Sequence, residues 1–411
     1  MTVTSHYPDD DELRGRFTAL LTDIAAGAAE RERNLELPHA QVRALREAGF
    51  GALRLPREQG GHGASIRQLL LALIDLGAAD SNLPQALRQH YFQVELLLHG
   101  AADAEVWLAR VAGGDLFGSG TTEPRGSVLG QVSTVLRADG NGGYRLTGRK
   151  IYGTGNAFAQ WIPVGAVDEL GTPVIPVVPV DREGVTLLDD WRGFGQRLTA
   201  TATTIFDDVA VSADEVRWPA TGDGPRRVGS GLHQSILLAA LAGVLRAAAT
   251  DLTNVVRAKT RVYFTGTGSL PRHDAVVQEQ IGRAQAAADS AELLIDGLGR
   301  TLERAWQGWG DPTRSPAEVD AGFVRAELAV GSAQVVLGEL ALATTAHLLD
   351  ILGASSLDIG LNLDRHWRNA RALVSHNPYP FRARVLGDHA LNGTLPPAFS
   401  VGGDVGDRPR D

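Results

Sequence analysis

The chain has 411 residues, of which 44% are hydrophobic, so it is long enough to bury a large core in roughly two or three structural regions. Its formal net charge of −9 argues against a general nucleic-acid binder, because phosphate contacts require concentrated, unopposed Lys and Arg. It contains no cysteine, which excludes disulfides, thiolate metal sites, iron–sulfur clusters and cysteine nucleophiles. Any redox chemistry therefore needs an external cofactor.

The first part of the chain has the apolar spacing of helices. Between residue 11 and about residue 110, apolar residues such as Val42, Leu45, Ile66 and Leu69 recur at three- and four-residue intervals. Gly-rich breaks separate these segments. The preceding residues 1–13 are acidic and polar, without the apolar segment of a secretory signal, and no apolar run approaches a membrane span. We therefore expect a cytoplasmic protein without a membrane partner.

The middle of the chain changes to short β-rich runs that are punctuated by Gly and Asp-Gly turns. This character lasts from residue 116 to about residue 218. We predict strands at 131–136, 144–146, 162–167, 174–180 and 203–206.

Helical periodicity returns near Gly231 and dominates to Arg371, with long Ala/Leu segments at 237–250 and 276–298. Helices, then strands, then longer helices indicate an α+β chain with segregated regions rather than an alternating βαβ fold. No G-x-G-x-x-G opens a helix after a strand, so the common dinucleotide fingerprint is missing. We divide the chain into an N-terminal helical domain at 1–115, a central β-domain at 116–228 and a C-terminal helical bundle at 229–411.

Short motifs follow one another from the start of the β-rich region to near the end of the chain. They are Gly118-Ser-Gly-Thr-Thr-Glu-Pro124, Thr147-Gly-Arg-Lys-Ile-Tyr-Gly-Thr-Gly155, Gly195-Gln-Arg-Leu-Thr-Ala-Thr201, Phe206-Asp-Asp-Val-Ala-Val211, Arg261-Val-Tyr-Phe264, Gly353-Ala-Ser-Ser356, Asp364-Arg-His-Trp-Arg-Asn-Ala-Arg371 and Ser375-His-Asn-Pro378. Their order, with that of the helices and strands, resembles the acyl-CoA dehydrogenase superfamily across nearly the whole chain. The D-R-x-W-R-N-x-R…H-[ND]-P spacing is most similar to its flavin-dependent monooxygenase branch, which includes dibenzothiophene monooxygenase and the amino-sugar nitrososynthases.

The resemblance implies an N-terminal helical domain, a central β-barrel-like domain and a C-terminal four-helix bundle, assembled as a homotetramer. It places the flavin between the β-domain and the bundle, where Thr121 and Thr122 lie in the flavin loop and Tyr152 and Thr154 lie against the ring. The other cofactor-binding residues that it implies are Arg261 and Phe264 from a neighbouring subunit, the interfacial Gln278, and Ser355 and Ser356. The alternative for Arg261 is an ion pair at an interface.

The residues argue against the dehydrogenase reaction itself, which needs a carboxylate base beside the substrate carbon. No Asp or Glu occurs between Arg371 and Asp388, where one form of the family has its base. The first long C-terminal helix, where another form has it, offers His233 and Gln234 instead. In their place the closing motif presents His376, an imidazole that can give a hydrogen bond or a proton.

The branch implies a two-component monooxygenase that uses FMNH2, supplied by a separate flavin reductase, and oxygen through a C4a-(hydro)peroxide. In this scheme His376 and Thr154 hold the peroxide, and His90 orients or deprotonates the substrate beside the aromatic walls Tyr91 and Phe92. The expected substrate is a small, apolar or aromatic molecule with a nucleophilic sulfur, nitrogen or carbon. No metal is expected.

Each of these assignments has a structural alternative. His90 could be a satisfied core residue, His376 a helix C-terminal cap, and the charges at 364–371 a salt-bridged helix surface. For the whole protein, one alternative is an FAD-dependent acyl-CoA dehydrogenase with an unrecognised base. A second is a scaffold that binds a ligand or partner without turnover.

Overall fold

The computed structural model describes residues 7–99, 104–124, 132–217 and 224–396, and for 224–230 it describes the backbone alone. The described part of the N-terminal region is helical. Its helices are α1 (Asp10–Ala26), α2 (Ala28–Asn34), α3 (His39–Glu47), α4 (Ile66–Ala79), α5 (Leu83–Ala86), α6 (Arg88–Leu98) and α7 (Ala104–Ala112). Helix α4 begins at a capping box, in which Ser65 and Gln68 satisfy each other's backbone N–H groups.

The central region is one curled sheet. Its strands are β1 (Val135–Ala138), β2 (Tyr144–Lys150), β3 (Trp161–Pro163), β4 (Ala166–Val167), β5 (Pro173–Pro179), β6 (Val185–Leu187), β7 (Thr204–Val211) and β8 (Val216–Arg217). They lie in the order β3-β5-β4-β1-β2-β7-β6, with β8 beside β5. The register of β2 and β7 shifts between Leu146 and Gly148, where a Cβ on Gly148 would lie 2.5 Å from the hydroxyl of Thr134. This bulge lets β2 bend toward the segment that follows it.

Long helices return after the sheet. They are α8 (Gly224–Ala258), α9 (Ala275–Trp309), α10 (Pro316–Ala346), α11 (Arg365–His376) and α12 (Tyr379–Asn392). Helices α8, α9 and α10 pack against one another, the shorter α11 packs against α8 and α10, and α12 packs against α10.

The predicted α+β, acyl-CoA dehydrogenase-like fold is confirmed, with helical regions on either side of a curled sheet. Most predicted strands are present, although Gln131 lies outside the described residues. We did not predict β6, β8 or α12, because the two strands are very short and α12 leaves no residue buried. The domain boundaries remain a prediction, and α8 starts at Gly224, ahead of our boundary at 229.

The two helical regions share one hydrophobic core and the sheet has a second, while a third cluster packs α6 and α7 against Val177 of the sheet. Helices α4 and α8 approach closely where a Cβ built on Gly243 would lie 2.6 Å from the carbonyl carbon of Gly77. Backbones can approach this closely because neither residue carries a side chain. The β-domain is therefore held against a single helical body.

The structure corrects our statement that no apolar run approaches a membrane span. Segments 231–258 and 316–349 are long and apolar enough by length and composition to cross a membrane. The most apolar window of the first is 72% buried inside the protein, as expected of a core helix in a soluble bundle, and that of the second is 39% buried. The described residues therefore cover α10 only in part.

Candidate active site

The turn that follows β2 is hydrogen-bonded to the loop that precedes β7. The N–H of Gly153 donates to the carbonyl of Ala202 at 2.7 Å, and the N–H of Gly155 donates to that of Thr199 at 2.9 Å. A Cβ on Gly153 would lie 2.4 Å from the amide nitrogen of Asn156, so the close fit requires glycine. The two segments form one wall of the candidate site.

Three threonine hydroxyls form a chain along this wall. The Oγ atoms of Thr154 and Thr201 are 2.9 Å apart, and those of Thr201 and Thr199 are 2.7 Å apart. Thr199 donates to the carbonyl of Gln196 at 3.0 Å, which anchors the chain in the interior. Thr154 is the half-buried outer end, where its hydroxyl can meet a ligand.

Strained backbone is concentrated around these hydroxyls. Tyr152, Gln196 and Ala200 have φ values of 55°, 51° and 50°, in the left-handed region that non-glycine residues seldom adopt. Such conformations persist where the surrounding structure enforces them, and they cluster at functional sites. The turn at Tyr152 leaves its ring 51% exposed beside the wall.

The predicted flavin loop pairs with the same turn. Thr122 and Ile151 form an antiparallel bridge, and the N–H of Ile151 donates to the carbonyl of Thr122 at 2.9 Å. The buried amide of Asn156 binds both backbone groups of Ser119, at 2.6 and 3.0 Å. The structure thus brings Thr121, Thr122, Tyr152 and Thr154 onto neighbouring segments, as the sequence predicts.

Helices α6 and α11 bring a second group of side chains together. Arg88, at the start of α6, directs Nη2 to within 2.9 Å of Nε2 of His376, which is the last residue of α11. One turn along α6, the ring of Phe92 lies 4.9 Å from that of His233 on α8. Asn377 donates to Gln234 on α8 at 2.6 Å and lies 3.0 Å from Nδ1 of His376.

Two close contacts connect the threonine wall to this group. A Cβ on Gly155 would lie 2.2 Å from the carbonyl oxygen of Ala86, just before Arg88. The Gln196 N–H donates to the side chain of Asn369 on α11 at 2.6 Å, and His376 follows Asn369 by about 10 Å along the helix. The β-domain wall and the His376 group therefore border one region between the sheet and the helices.

The charged group of this region is the guanidinium of Arg88, which lies beside the uncharged imidazoles of His376 and His233. The guanidinium of Arg88, followed by burial, lowers the pKa of His376 to about 3. His376 is accessible to solvent, so screening reduces this effect, but its direction follows from the 2.9 Å contact. Burial, then Arg88 and His376, holds the pKa of His233 well below its usual range. No described carboxylate contributes to these shifts.

The structure places His90 and Tyr91 in the core, and a site role for either side chain remains a prediction. His90 is fully buried, with Nε2 2.8 Å from the carbonyl of Gly51 and Nδ1 accepting from the N–H of Phe117 at 3.3 Å. The hydroxyl of Tyr91, also fully buried, donates to the carbonyl of Phe50 at 2.6 Å. His90, two residues after Arg88, lies on the opposite side of α6, and the hydroxyl of Tyr91 is committed to a backbone carbonyl, so both side chains make core contacts in this structure.

The other predicted cofactor residues lie at the far end of the bundle in this chain. Arg261 and Phe264 follow the C-terminus of α8, and 25 residues of helix, roughly 38 Å, separate that end from His233. Phe264 is 93% exposed. Gln278 is exposed and donates to the carbonyl of Arg272, near the start of α9. One chain does not bring these residues to the Thr154 wall.

The two serines of the closing stretch differ in their surroundings. Ser355 is exposed, whereas Ser356 is buried and donates to the carbonyl of Gly353 at 2.6 Å. Ser356 therefore donates within its own turn, and its predicted contact with a cofactor remains a prediction. A Cβ on Gly353 would lie 3.8 Å from the ring of Tyr263, which places this stretch beside the Arg261 loop.

The charged signature on α11 holds the helix in place. Arg368 pairs with Asp364 at 2.8 Å and with Glu32 at 3.2 Å, and both Arg365 and His366 bind Asp251. These contacts fit the salt-bridged reading of the motif. They fix the position of His376 at the end of the same helix.

Sequence reasoning missed Arg88, Thr201 and Asn377. Arg88 and Phe92 are four residues apart and share a helix face, whereas His90, two residues after Arg88, lies on the opposite side of α6. The sequence analysis selected His90 and His376 and did not select Arg88, which joins α6 to His376 on α11. Thr201 gave no local signal, because its contact with Thr154 joins residues far apart in the chain.

A cavity of about 460 Å³ lies elsewhere, between α1, α4 and α9. Both arginines of its lining are paired within it: Arg14 binds Asp75, and Arg67 binds both Asp10 and Asp296. None of the predicted site residues lines it.

Comparison with known families gives a consistent result. The N-terminal domain of acyl-CoA dehydrogenase matches residues 8–115, and its C-terminal domain matches residues 235–379. Together these matches cover more than half of the chain. The chain belongs to the acyl-CoA dehydrogenase superfamily.

Individual relatives in this superfamily are oxygenases. The chain is 27% identical to the probable FMNH2-dependent monooxygenase SfnC of Pseudomonas putida, over 94% of this chain and 95% of that one. It is also 27% identical to dibenzothiophene monooxygenase of Rhodococcus qingshengii, over 94% and 92%. Among solved structures, methanesulfinate monooxygenase MsuC of Pseudomonas fluorescens superimposes with a TM-score of 0.83 at 26% identity, over 94% and 98%. The predicted resemblance to this branch of the acyl-CoA dehydrogenase superfamily is confirmed.

Proposed function

We propose that the protein is a two-component monooxygenase that uses reduced FMN and oxygen to oxygenate a small molecule. The observation that carries the proposal is that the threonine wall, formed by Thr154, Thr199 and Thr201, borders the same region as His376 and Arg88. The acyl-CoA dehydrogenase fold is retained, while the groups that act on His376 include no described carboxylate. The alternative FAD-dependent dehydrogenase needs such a base.

The residues of the wall fit a flavin. Exposed Thr121 and half-buried Thr154 offer hydroxyls, and Tyr152 offers an accessible ring on the same surface. Nearby, Phe194 and Trp367 stack at 5.8 Å and are both exposed, so apolar area remains for a planar ligand. When bound in its reduced form, FMN supplies the electrons that activate oxygen.

The chain's own residues would position and insulate this chemistry. Because Thr199 donates to Gln196, Thr201 donates to Thr199 and Thr154 donates to Thr201, the chain fixes the orientation of Thr154 and leaves its oxygen to accept a hydrogen bond from a protonated oxygen held against the wall. His376 is neutral at pH 7, so it acts through a ring N–H or lone pair rather than as an imidazolium. Phe92 supplies an apolar wall that keeps water away.

A homotetramer would complete the site. Arg261 and Phe264 lie on an exposed loop far from the Thr154 wall of their own chain, so a neighbouring chain would have to present them. Exposed apolar side chains on α9 and α12, such as Leu293 and Phe381, offer surface for the assembly. The FMNH2 source would be a separate flavin reductase in the cytoplasm.

The test compares flavin preference with dehydrogenase activity. We expect the protein to purify nearly colourless and, under anaerobic equilibrium titration, to bind FMNH2 more tightly than oxidised FMN or FAD. Adding an acyl-CoA to protein loaded with FAD should leave the flavin absorbance unchanged. Tightly bound FAD that bleaches with an acyl-CoA would replace this proposal with the dehydrogenase. Equal affinity for FMNH2, oxidised FMN and FAD would favour a scaffold that binds a ligand or partner without turnover.

A further inference from the structure

One cation near His376 has no counter-ion among the described side chains. Arg88 is only 9% exposed, and no described carboxylate pairs with it. Its Nη1 atom is buried without a hydrogen-bond partner, while Nη2 meets His376. Burying an unpaired charge costs free energy, and buried arginines are normally paired. The guanidinium therefore has unused capacity to bind an anion.

The contact between Arg88 and His376 brings two hydrogen-bond donors together. A neutral imidazole has one N–H and one lone-pair nitrogen. Nδ1 of His376 faces the amide nitrogen of Asn377, which also donates to Gln234, so Nδ1 is suited to accept and Nε2 to carry the proton. That proton then faces another donor, Nη2 of Arg88. A group that draws Arg88 away from His376 would relieve the conflict.

We propose that Arg88 binds the anionic group of the substrate, a carboxylate, sulfinate or sulfonate, and holds it beside His376. This inference rests on the proposed monooxygenase function and names its substrate class. A guanidinium offers two parallel N–H groups, which match the two oxygens of such an anion. Phe92, one turn along α6, lies beside His233 and provides an apolar contact for the rest of the molecule.

This substrate differs from the apolar or aromatic one that the sequence predicts. It is amphipathic, with a charged end at Arg88 and a short apolar body toward Phe92. Binding would also leave Nε2–H of His376 free to donate, because Arg88 would turn to the anion. Arg88 thus becomes a residue that determines specificity and sets the hydrogen bonding of His376.

The test measures equilibrium binding to the full-length, flavin-free protein, so it does not depend on oxygenation. The probes are two pairs of molecules of similar size, each with one anion and one neutral partner: methanesulfinate with dimethyl sulfone, and acetate with acetamide. Binding is followed by calorimetry and by the NMR signal of the His376 ring at pH 7. We expect each anion to bind at least about tenfold more tightly than its neutral partner and to shift the His376 signal.

Variants at Arg88 locate the effect. Arg88→Gln should remove the preference for anions, whereas Arg88→Lys should keep part of it, because lysine retains the charge without the fork. Arg110→Gln is the matched control, since Arg110 also has a buried, unpartnered Nη1 but lies over the rings of Trp107 and Trp161. That control should bind the anions as the wild type does.

Three results would overturn the inference. They are equal binding of anions and neutral partners by the wild type, an unchanged preference in Arg88→Gln, and an equal loss in Arg110→Gln. A fourth result would assign the anion to another source. If Arg88→Gln lowers the affinity for FMN to that for riboflavin but leaves the binding of methanesulfinate and acetate unchanged, Arg88 binds the flavin phosphate and not the substrate. If the Arg88 variants do not fold, the wild-type comparison still decides. Anion binding without FMNH2 preference would contradict the proposed function alone.

Discussion

At the scale of single residues, the site depends on hydroxyls and imidazoles whose partners are fixed by the backbone. Thr154 has its orientation set by Thr201, which is itself held by Thr199. His376 has its position set by the ion pairs of α11 and its charge state set by Arg88. Neither residue acts alone, so substitutions should affect function through identifiable partners.

Replacing the Thr154 hydroxyl should weaken the hold on activated oxygen. In Thr154→Val we expect oxidised-flavin absorbance to return about tenfold faster after FMNH2-loaded protein is mixed with oxygen, because one hydrogen bond is lost. Stopped-flow absorbance measures this rate. The control Thr154→Ser keeps a hydroxyl and should stay near the wild-type rate. Equal rates for the valine and serine variants would show that the hydroxyl has no such role.

At the scale of elements, close helix contacts decide where the site residues stand. Helices α4 and α8 meet at Gly77 and Gly243, and this contact sets the position of the α8 residues His233 and Gln234. A loop-to-helix contact works in the same way, since a Cβ on Gly195 would lie 2.0 Å from the carbonyl of Arg368. Glycine at such points allows two backbones to touch.

Gly243→Ala should therefore destabilise the protein. Its Cβ would overlap the backbone of α4, and overpacking of this kind costs about 1–3 kcal/mol. Urea unfolding followed by circular dichroism measures the change. Gly297→Ala on α9 is the control, because a Cβ there meets nothing within 4 Å. That substitution should be neutral or should stabilise by about 0.5–1 kcal/mol, since alanine is the better helix former. The same loss in both variants would contradict this packing account.

The sequence predicted elements better than it predicted contacts. Regular apolar spacing was enough for the long helices, such as α8 and α9, whereas a shared site for Thr154 and His376 came from the family resemblance and remains a prediction. The spacing could not show that the ring nitrogens of His90 face backbone atoms of Gly51 and Phe117, because those contacts arise only on folding. For the same reason the unpaired state of Arg88 was invisible before the structure was known.

At the scale of the whole molecule, buried neutral histidines link stability to pH. Burial lowers the pKa of His90 to about 4, and His99 shows a similar shift to about 4 with the same main cause. A depressed folded-state pKa means that the unfolded chain binds protons more readily. Stability is thus fully present above the unfolded pKa near 6.5 and is lost as pH falls toward the folded pKa.

The free energy of unfolding should accordingly decrease between pH 7 and pH 5. His90 alone, being fully buried, accounts for roughly 2 kcal/mol at pH 5, and His99, His233 and His376 act in the same direction. Urea unfolding at several pH values gives the slope. A free energy that stays constant or rises as the pH falls over this interval would contradict the neutral state of these side chains.

For the molecule as a whole, we propose that His376 and the threonine wall hold activated oxygen on this acyl-CoA dehydrogenase scaffold, where a dehydrogenase would have a carboxylate base that removes a proton. The most direct measurement mixes anaerobic, FMNH2-loaded protein with oxygenated buffer and records how fast oxidised flavin appears. We predict that the wild type delays this appearance relative to free FMNH2, and that His376→Ala shortens the delay by about tenfold or more. If the wild type oxidises its flavin as fast as free FMNH2 does, or if His376→Ala keeps the wild-type delay, the account is wrong.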